Sequence, residues 1–276
     1  MTSGELGAII EATAPEKGSL LSVVRQNRSR NLIVYFNSYG VENRPGTQPG
    51  RPFGTRFQNY RKVMRYDAHA VWFVEEKGSW YLEHQDRILD VLTSYIAEHD
   101  ITAIKMIGSS AGGYAAIRIG LLLDQRLKHS GNDATILSFA INPQTGFRPD
   151  LFARIERATE ESRWSGARLG QDPIVLAKDY IGAYAHMRID LLELMRDYQA
   201  RNMGVVLMYD SLNPIEATFC GDLAGTDFIL HFPVPLGLNH LDGATKILLG
   251  ELWQVFDQAL PFPKLESIVG ELRALI

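Results

Sequence analysis

Cysteine is nearly absent from this chain. Cys220 is the single one among 276 residues, so no internal disulfide can form and no cysteine-based zinc site can be built. A reducing cytoplasm is the expected compartment. Long apolar runs are missing too: no window approaches the ~18 uninterrupted apolar residues that crossing a bilayer requires. The stretch MTSGELGAIIEATAPEKGS at the start has no basic segment followed by a long apolar one, so no signal for export is expected. Excess positive charge is the third absence. Lys and Arg number 28 against 32 Asp and Glu, a net charge of -4, which leaves no global field to draw the chain onto nucleic acid or an anionic membrane. Neither partner is expected. What is present, 46% hydrophobic and 22% charged residues, is the composition of a globular protein and excludes a disordered or collagen-like one.

Short apolar runs alternate with longer amphipathic stretches from residue 31 onward. That is the pattern of an α/β fold, a mostly parallel twisted sheet with helices on both faces. The runs NLIVYF (Asn31 to Phe36), AVWFV (Ala70 to Val74), AIKMI (Ala103 to Ile107), TILSFAI (Thr135 to Ile141), VVLMY (Val205 to Tyr209) and FILHF (Phe228 to Phe232) are predicted as strands. SLLSVVRQ, Ser19 to Gln26, is a candidate for an earlier antiparallel strand. Ile88, Leu92, Tyr95 and Ile96 repeat at helical spacing, as do Leu248, Leu252, Val255 and Phe256, which predicts two amphipathic helices with buried stripes. Residues 145 to 185 are charged, punctuated by Gly and partly helical, and they interrupt the alternation. They are read as a cap inserted in a single domain spanning residues 1 to 276, since no repeat and no long linker divides the chain.

Gly108-Ser109-Ser110-Ala111-Gly112 matches G-x-S-x-G. The string alone arises by chance often enough to be weak, and its context decides the reading. It follows the apolar run AIKMI and precedes GGYAAIRIGLLL, and strand, sharp turn, helix is the nucleophile elbow. Such a turn strains the serine backbone, so its flanks must be small, as Gly108 and Gly112 are. Ser110 then stands at the carboxyl end of a central strand, with the backbone N–H of Ala111 directed at a developing oxyanion. Ser109 is out of register, and the simpler reading of the segment is a Gly-Ser loop capping a helix. A phosphate-binding loop has little support, because GSSAGG has neither the P-loop Lys nor the G-x-G-x-x-G register.

A serine of ordinary acidity needs a neutral histidine as general base, and that histidine needs a carboxylate to fix its tautomer. Among the downstream histidines, His231 sits in an apolar run, His129 in a polar turn and His186 in the cap or the helix after it. His240, in PLGLNHLDG between the last strand and the last helix, is placed to reach across the sheet edge. Asp210, which ends VVLMYD, is the expected acid; it can also open an Asx-type turn. Asp242 is better placed as an N-cap of the C-terminal helix, and Asp222 and Asp227 are fallback acids.

These residues resemble the α/β-hydrolase superfamily over roughly Asn31 to Phe256, in the chain order Ser110, Asp210, His240 that the superfamily uses. The resemblance implies a serine esterase or acyltransferase with Ser110, Asp210 and His240 as its triad. It also implies a second oxyanion donor in the loop after NLIVYF, at Asn37 or Ser38, although the usual His-Gly is replaced there by Asn37-Ser38-Tyr39-Gly40. From Gly40 to Arg65 the cations Arg44, Arg51, Arg56, Arg61, Lys62 and Arg65 face one acid, Glu42, a local +5. Arg51, Arg56 and Tyr39 are candidate substrate contacts, arginine being suited to bidentate capture of carboxylate or phosphate; a solvated surface loop is the plainer account. The expected reaction is cleavage of a small acyl ester, with O-acetyl on a carbohydrate or an anionic substrate as the candidate and no cofactor or metal. The alternatives are an O-acyltransferase that takes acyl-CoA as co-substrate and acylates a saccharide, and a non-catalytic binding protein on the same fold.

Overall fold

The computed structural model describes residues 20–38, 59–75, 79–162, 182–198 and 202–258. Seven strands form one open sheet: β1 (Leu20–Arg25), β2 (Asn31–Phe36), β3 (His69–Glu75), β4 (Ala103–Ser109), β5 (Thr135–Ile141), β6 (Met203–Asp210) and β7 (Ile229–Val234). Their order is β1-β3-β2-β4-β5-β6-β7. Strand β1 pairs antiparallel with β3, Leu20 opposite Glu75, and every other pairing is parallel. Each predicted strand is present, with ends moved by up to two residues.

The helices are α1 (Tyr60–Val63), α2 (Gln85–Glu98), α3 (Ala111–His129), α4 (Pro149–Ser162), α5 (Leu191–Arg196), α6 (Pro214–Gly221), α7 (His240–Leu249) and α8 (Glu251–Gln258), with a 3-10 turn at Gly182–Met187. Alternation along β2 shows how the sheet is covered. Leu32, Val34 and Phe36 enter the core under α2 and α3, while Ile33 and Tyr35 enter the opposite core with Ile247, Leu252 and Phe256 of α7 and α8. A period of two on strands buried on both faces produces this division. Of the expected cap, 145 to 185, residues 163–181 lie outside the described residues. In the part that is described, α4 lays Leu151, Phe152 and Ile155 against Ile215 and Phe219 of α6.

One predicted helix differs. The stripe Leu248, Leu252, Val255, Phe256 is buried as expected, but Gly250 leaves helical geometry at φ -117 and ψ -87, and α7 ends there. The Trp253 indole N–H reaches back to the Leu248 carbonyl at 2.7 Å. A regular apolar spacing therefore runs through two helices, because the broken turn at Gly250 keeps all four residues on one face.

The chain doubles back between β3 and β4. Strands β2 and β4 are neighbours, yet the chain leaves β2 toward β3 on one side and returns past it to β4 on the other. The carboxyl ends of β2 and β4 therefore flank a switch point, the place where an open α/β sheet leaves a crevice.

Lys105 occupies a core position of β4 with no solvent exposure. Its ammonium lies 4.2 Å from the Phe256 ring centroid and 3.2 Å from the Phe256 carbonyl. Burial pushes its pKa down to about 7, against a smaller opposing effect of Asp257. The unfolded chain binds this proton below about pH 10. The folded chain binds it only below about pH 7, so stability falls as pH drops from about 10 to about 7 and then levels. At ~1.4 kcal/mol per pKa unit, that differential is on the order of 5 kcal/mol. Lys105→Met is expected to be more stable than the natural chain at pH 6.5 and to lose most of that advantage by pH 10. Chemical denaturation of both chains across that range measures it. A constant difference between the two would show that Lys105 keeps its proton in the folded state.

Candidate active site

Ser110 sits between β4 and α3 at φ 54 and ψ -124, a left-side conformation that a non-glycine residue adopts only under constraint. The constraint is visible in backbone contacts. A Cβ on Gly108 would lie 2.1 Å from the Gly112 carbonyl oxygen, and one on Gly112 would lie 2.4 Å from that of Phe36. Only hydrogens fit at both positions, so the turn closes tightly and α3 starts against the end of β2. The Ser110 N–H donates to the Ile141 carbonyl at 2.8 Å, which ties the turn to β5.

His240 meets it from the start of α7, which packs on β5 and β6. Its Nε2 is 2.8 Å from Ser110 Oγ, and its Nδ1 is hydrogen bonded to Glu216 Oε1. His240 is the first residue of α7 rather than a loop residue. Asn239 is the N-cap, accepting from the Asp242 N–H at 2.9 Å, and its amide donates to Asp242 Oδ2 at 2.7 Å. Asp242 is therefore at N3 of a reciprocal capping arrangement, not the cap itself.

The carboxylate on His240 Nδ1 is thus Glu216, a residue that the sequence pattern did not single out. Glu216 is the third residue of α6, with no solvent exposure. Asn213 caps that helix, accepting from the N–H groups of Ile215 at 3.0 Å and Glu216 at 3.4 Å. The capped N-terminus is the end of a helix that favours a negative side chain.

Asp210, the expected acid, has different work. Its Oδ1 accepts N–H bonds from Leu212 at 3.1 Å, Leu236 at 3.0 Å and Gly237 at 2.9 Å, and its Oδ2 accepts from Leu238 at 2.7 Å. All four donors are backbone amides, one from the turn after β6 and three from residues 236–238. The Asn213 amide adds a bond to the Leu238 carbonyl at 3.0 Å. Asp210 and Asn213 together fold residues 236–238, the approach to His240. The other candidates are elsewhere: Asp222 is ion-paired with Arg148 and Arg154, His231 is within β7, His129 ends α3 rather than occupying a turn, and His186 is in the 3-10 turn.

The expected oxyanion donors lie close to the elbow. Ala111 opens α3, where backbone N–H groups have no intrahelical acceptor. Ser38 donates its hydroxyl to the Ser109 carbonyl at 3.0 Å and is also hydrogen bonded to the Ser109 hydroxyl. The backbone N–H of Asn37 donates to the Phe73 carbonyl at 3.1 Å and is engaged at the end of the sheet. Tyr39, Arg51 and Arg56 lie outside the described residues. Of the cationic stretch, Lys62 donates to the Leu249 carbonyl at 2.8 Å, at the far end of α7 from His240, and Arg61 and Arg65 are exposed.

The cysteine is not part of this line. Burial and the charge of Glu216 push the Cys220 thiol well up, which keeps it a thiol. Among the described residues no group of three or more His, Cys, Asp or Glu is placed to hold a metal ion, and none of their helices is long and apolar enough to cross a membrane.

No protein-family model and no curated protein sequence matches the chain. Solved structures do. An esterase of a pair from the fungus Rhizomucor miehei is similar at 14% identity with a TM-score of 0.55, over 92% of this chain and 81% of that one. Brefeldin A esterase, described as a bacterial homologue of human hormone-sensitive lipase, is similar at 17% identity with a TM-score of 0.51, over 98% of this chain and 80% of that one. At such identities the likeness is one of fold. Together with the sheet order and the strand-turn-helix at Ser110, it establishes that this chain has the α/β-hydrolase fold.

Proposed function

We propose that the chain is a serine ester hydrolase that works through an acyl-enzyme on Ser110, with His240 as general base and Glu216 as the carboxylate that holds the imidazole. The observation that carries this reading is the continuous line from Ser110 Oγ through both nitrogens of His240 to Glu216. The Glu216 carboxylate accepts a hydrogen bond from Nδ1–H, so Nε2 is the free base facing the serine hydroxyl. In acylation Ser110 Oγ bonds to the ester carbon, its proton passes to His240 Nε2, and the carbonyl electron pair moves to oxygen near the Ala111 N–H. Collapse expels the alkoxide, which takes the proton from His240. Water repeats the sequence in reverse and frees Ser110. No cofactor enters these steps. The similar structures from Rhizomucor miehei and brefeldin A esterase are named as esterases, which supports the reaction class.

The proposed substrate is a small acyl ester, with an O-acetylated saccharide as the specific candidate, and the chain is read as a single domain with a cap. Transfer from acyl-CoA to a saccharide hydroxyl uses the same residues and differs only in the acceptor. The test is the fate of the acyl group. p-Nitrophenyl acetate is expected to be hydrolysed and to slow labelling by a serine-reactive phosphonate, whose adduct maps to Ser110 by mass spectrometry. Acetyl-CoA consumed only when a saccharide is present would assign the transferase. A phosphonate that leaves Ser110 unlabelled would overturn the acyl-enzyme.

A further inference from the structure

Gln144 lies three residues beyond β5 with no solvent exposure, and its amide is beside the nucleophile. Nε2 is 3.4 Å and Oε1 is 3.5 Å from Ser110 Oγ, so distance alone leaves open which end of the amide serves the serine. Trp80 decides it. Its indole Nε1 is 2.8 Å from Gln144 Oε1, and an indole nitrogen can only donate. Oε1 is thereby the accepting end and Nε2 the donating end. The serine gives the same answer independently: its own proton is directed at His240 Nε2, so toward Gln144 the Oγ is an acceptor. The second N–H of the amide has the Asn142 carbonyl at 3.4 Å.

Trp80 is itself held in an unusual way. It and Tyr81 have φ of 54 and 66, positions where bulky residues are strained. Glu75, at the end of β3, brackets it, accepting from the Ser79 hydroxyl and from the Tyr81 N–H at 3.0 Å. The Tyr81 hydroxyl in turn donates to the Asn37 carbonyl at 2.8 Å. Strained backbone persists where its surroundings over-determine it, and it clusters at functional sites. Here it aims one indole N–H at one amide.

On the reading proposed above, we infer that Gln144, oriented by Trp80, is the donor that stabilises negative charge on Ser110 Oγ. Every hydrogen bond in the line then points one way: Trp80 to Gln144, Gln144 to Ser110, Ser110 to His240, and His240 to Glu216. The serine oxygen gains negative character twice, when it gives its proton to His240 before bonding to the ester carbon and when it leaves that carbon in deacylation. Both steps draw on the Gln144 N–H, and the contact tightens as charge appears. Binding of the substrate does not draw on it.

The experiment is a double-mutant cycle with Gln144→Met, which keeps the length and removes the donor, and Trp80→Phe, which keeps a ring and removes the indole N–H. With p-nitrophenyl acetate, Gln144→Met is expected to lower kcat ten- to a hundred-fold with KM within about twofold, and to slow phosphonate labelling of Ser110 in parallel. Trp80→Phe is expected to lower kcat several-fold in the natural background and by less than twofold in the Gln144→Met background, because an amide that is gone cannot be misoriented. Circular dichroism and melting of each variant identify any loss that comes from unfolding. A folded Gln144→Met chain with unchanged kcat overturns the inference, and so do multiplicative losses in the double variant. Failure of the natural chain to label at Ser110 overturns the hydrolase reading itself, and the role of Gln144 with it.

Discussion

Ser110→Ala is expected to lower turnover of p-nitrophenyl acetate by a thousand-fold or more and to leave the fold intact. In the proposed mechanism the hydroxyl carries the bond-forming oxygen, and the strained backbone that Ser110 adopts is imposed by Gly108 and Gly112 rather than by its side chain. Knocking out the nucleophile of such a unit removes about as much rate as removing the whole of it. His240→Ala in the same chain is therefore expected to add little. Ser109→Ala is the control: Ser109 is buried and bonded to Ser38, so it is expected to cost about 1 kcal/mol of stability and most of the activity is expected to remain. Steady-state rates and melting curves on the three variants check this. Undiminished turnover by Ser110→Ala would remove the serine from the chemistry.

Glu216→Gln and Asp210→Asn are expected to separate two carboxylates by what each one breaks. Glu216→Gln leaves a group of the same shape on His240 Nδ1 but removes the negative charge that stabilises the imidazolium, and it can favour the wrong tautomer. A loss of roughly a hundred- to ten-thousand-fold in kcat with a nearly unchanged melting temperature is expected. Asp210→Asn turns one of two accepting oxygens into a donor facing a backbone N–H, since Oδ1 accepts three amides and Oδ2 a fourth. Breaking such charge-assisted bonds costs on the order of 3 kcal/mol. For a chain of this size that lowers the melting temperature by roughly 5 to 10 °C. The reverse pattern, with Glu216→Gln fully active and Asp210→Asn inactive but equally stable, would return the acid to the end of β6.

The contrast between these two residues also shows what a sequence can and cannot disclose about this site. Ser110 is legible because its meaning is local: the apolar run, the two glycines and the following helix are contiguous, and together they dictate a tight turn. The strands are legible for the same reason, most of them being short β-branched or aromatic runs closed by turn formers. His240 follows from its place between the last strand and the last helix. The acid does not, because position along the chain says where a carboxylate starts, not which donors reach it first. Asp210 is captured by amides of residues 212 and 236–238, and the chain continues through a capped turn to present Glu216 instead. Asn213-Pro214-Ile215-Glu216 carries a helix-start signal, which locates Glu216 at the third helical position but not on the face toward His240. Gln144 and Trp80 become meaningful only when β3 and β5 are brought to the same crevice, 64 residues apart in sequence. The break at Gly250 escapes periodicity because burial stays regular across it.

The elbow has a consequence for how widely such chains can diverge. Its fit is made between main-chain atoms: the Gly112 Cα against the Phe36 carbonyl, and the Gly108 Cα against the Gly112 carbonyl. Every amino acid supplies the same carbonyl, so the partners in these contacts place almost no demand on residue identity. What the geometry asks of the sequence is two missing methyl groups, fixed in spacing around one serine. Lineages holding to that can replace the rest of the surface and much of the core and still deliver the hydroxyl to the same point above the sheet.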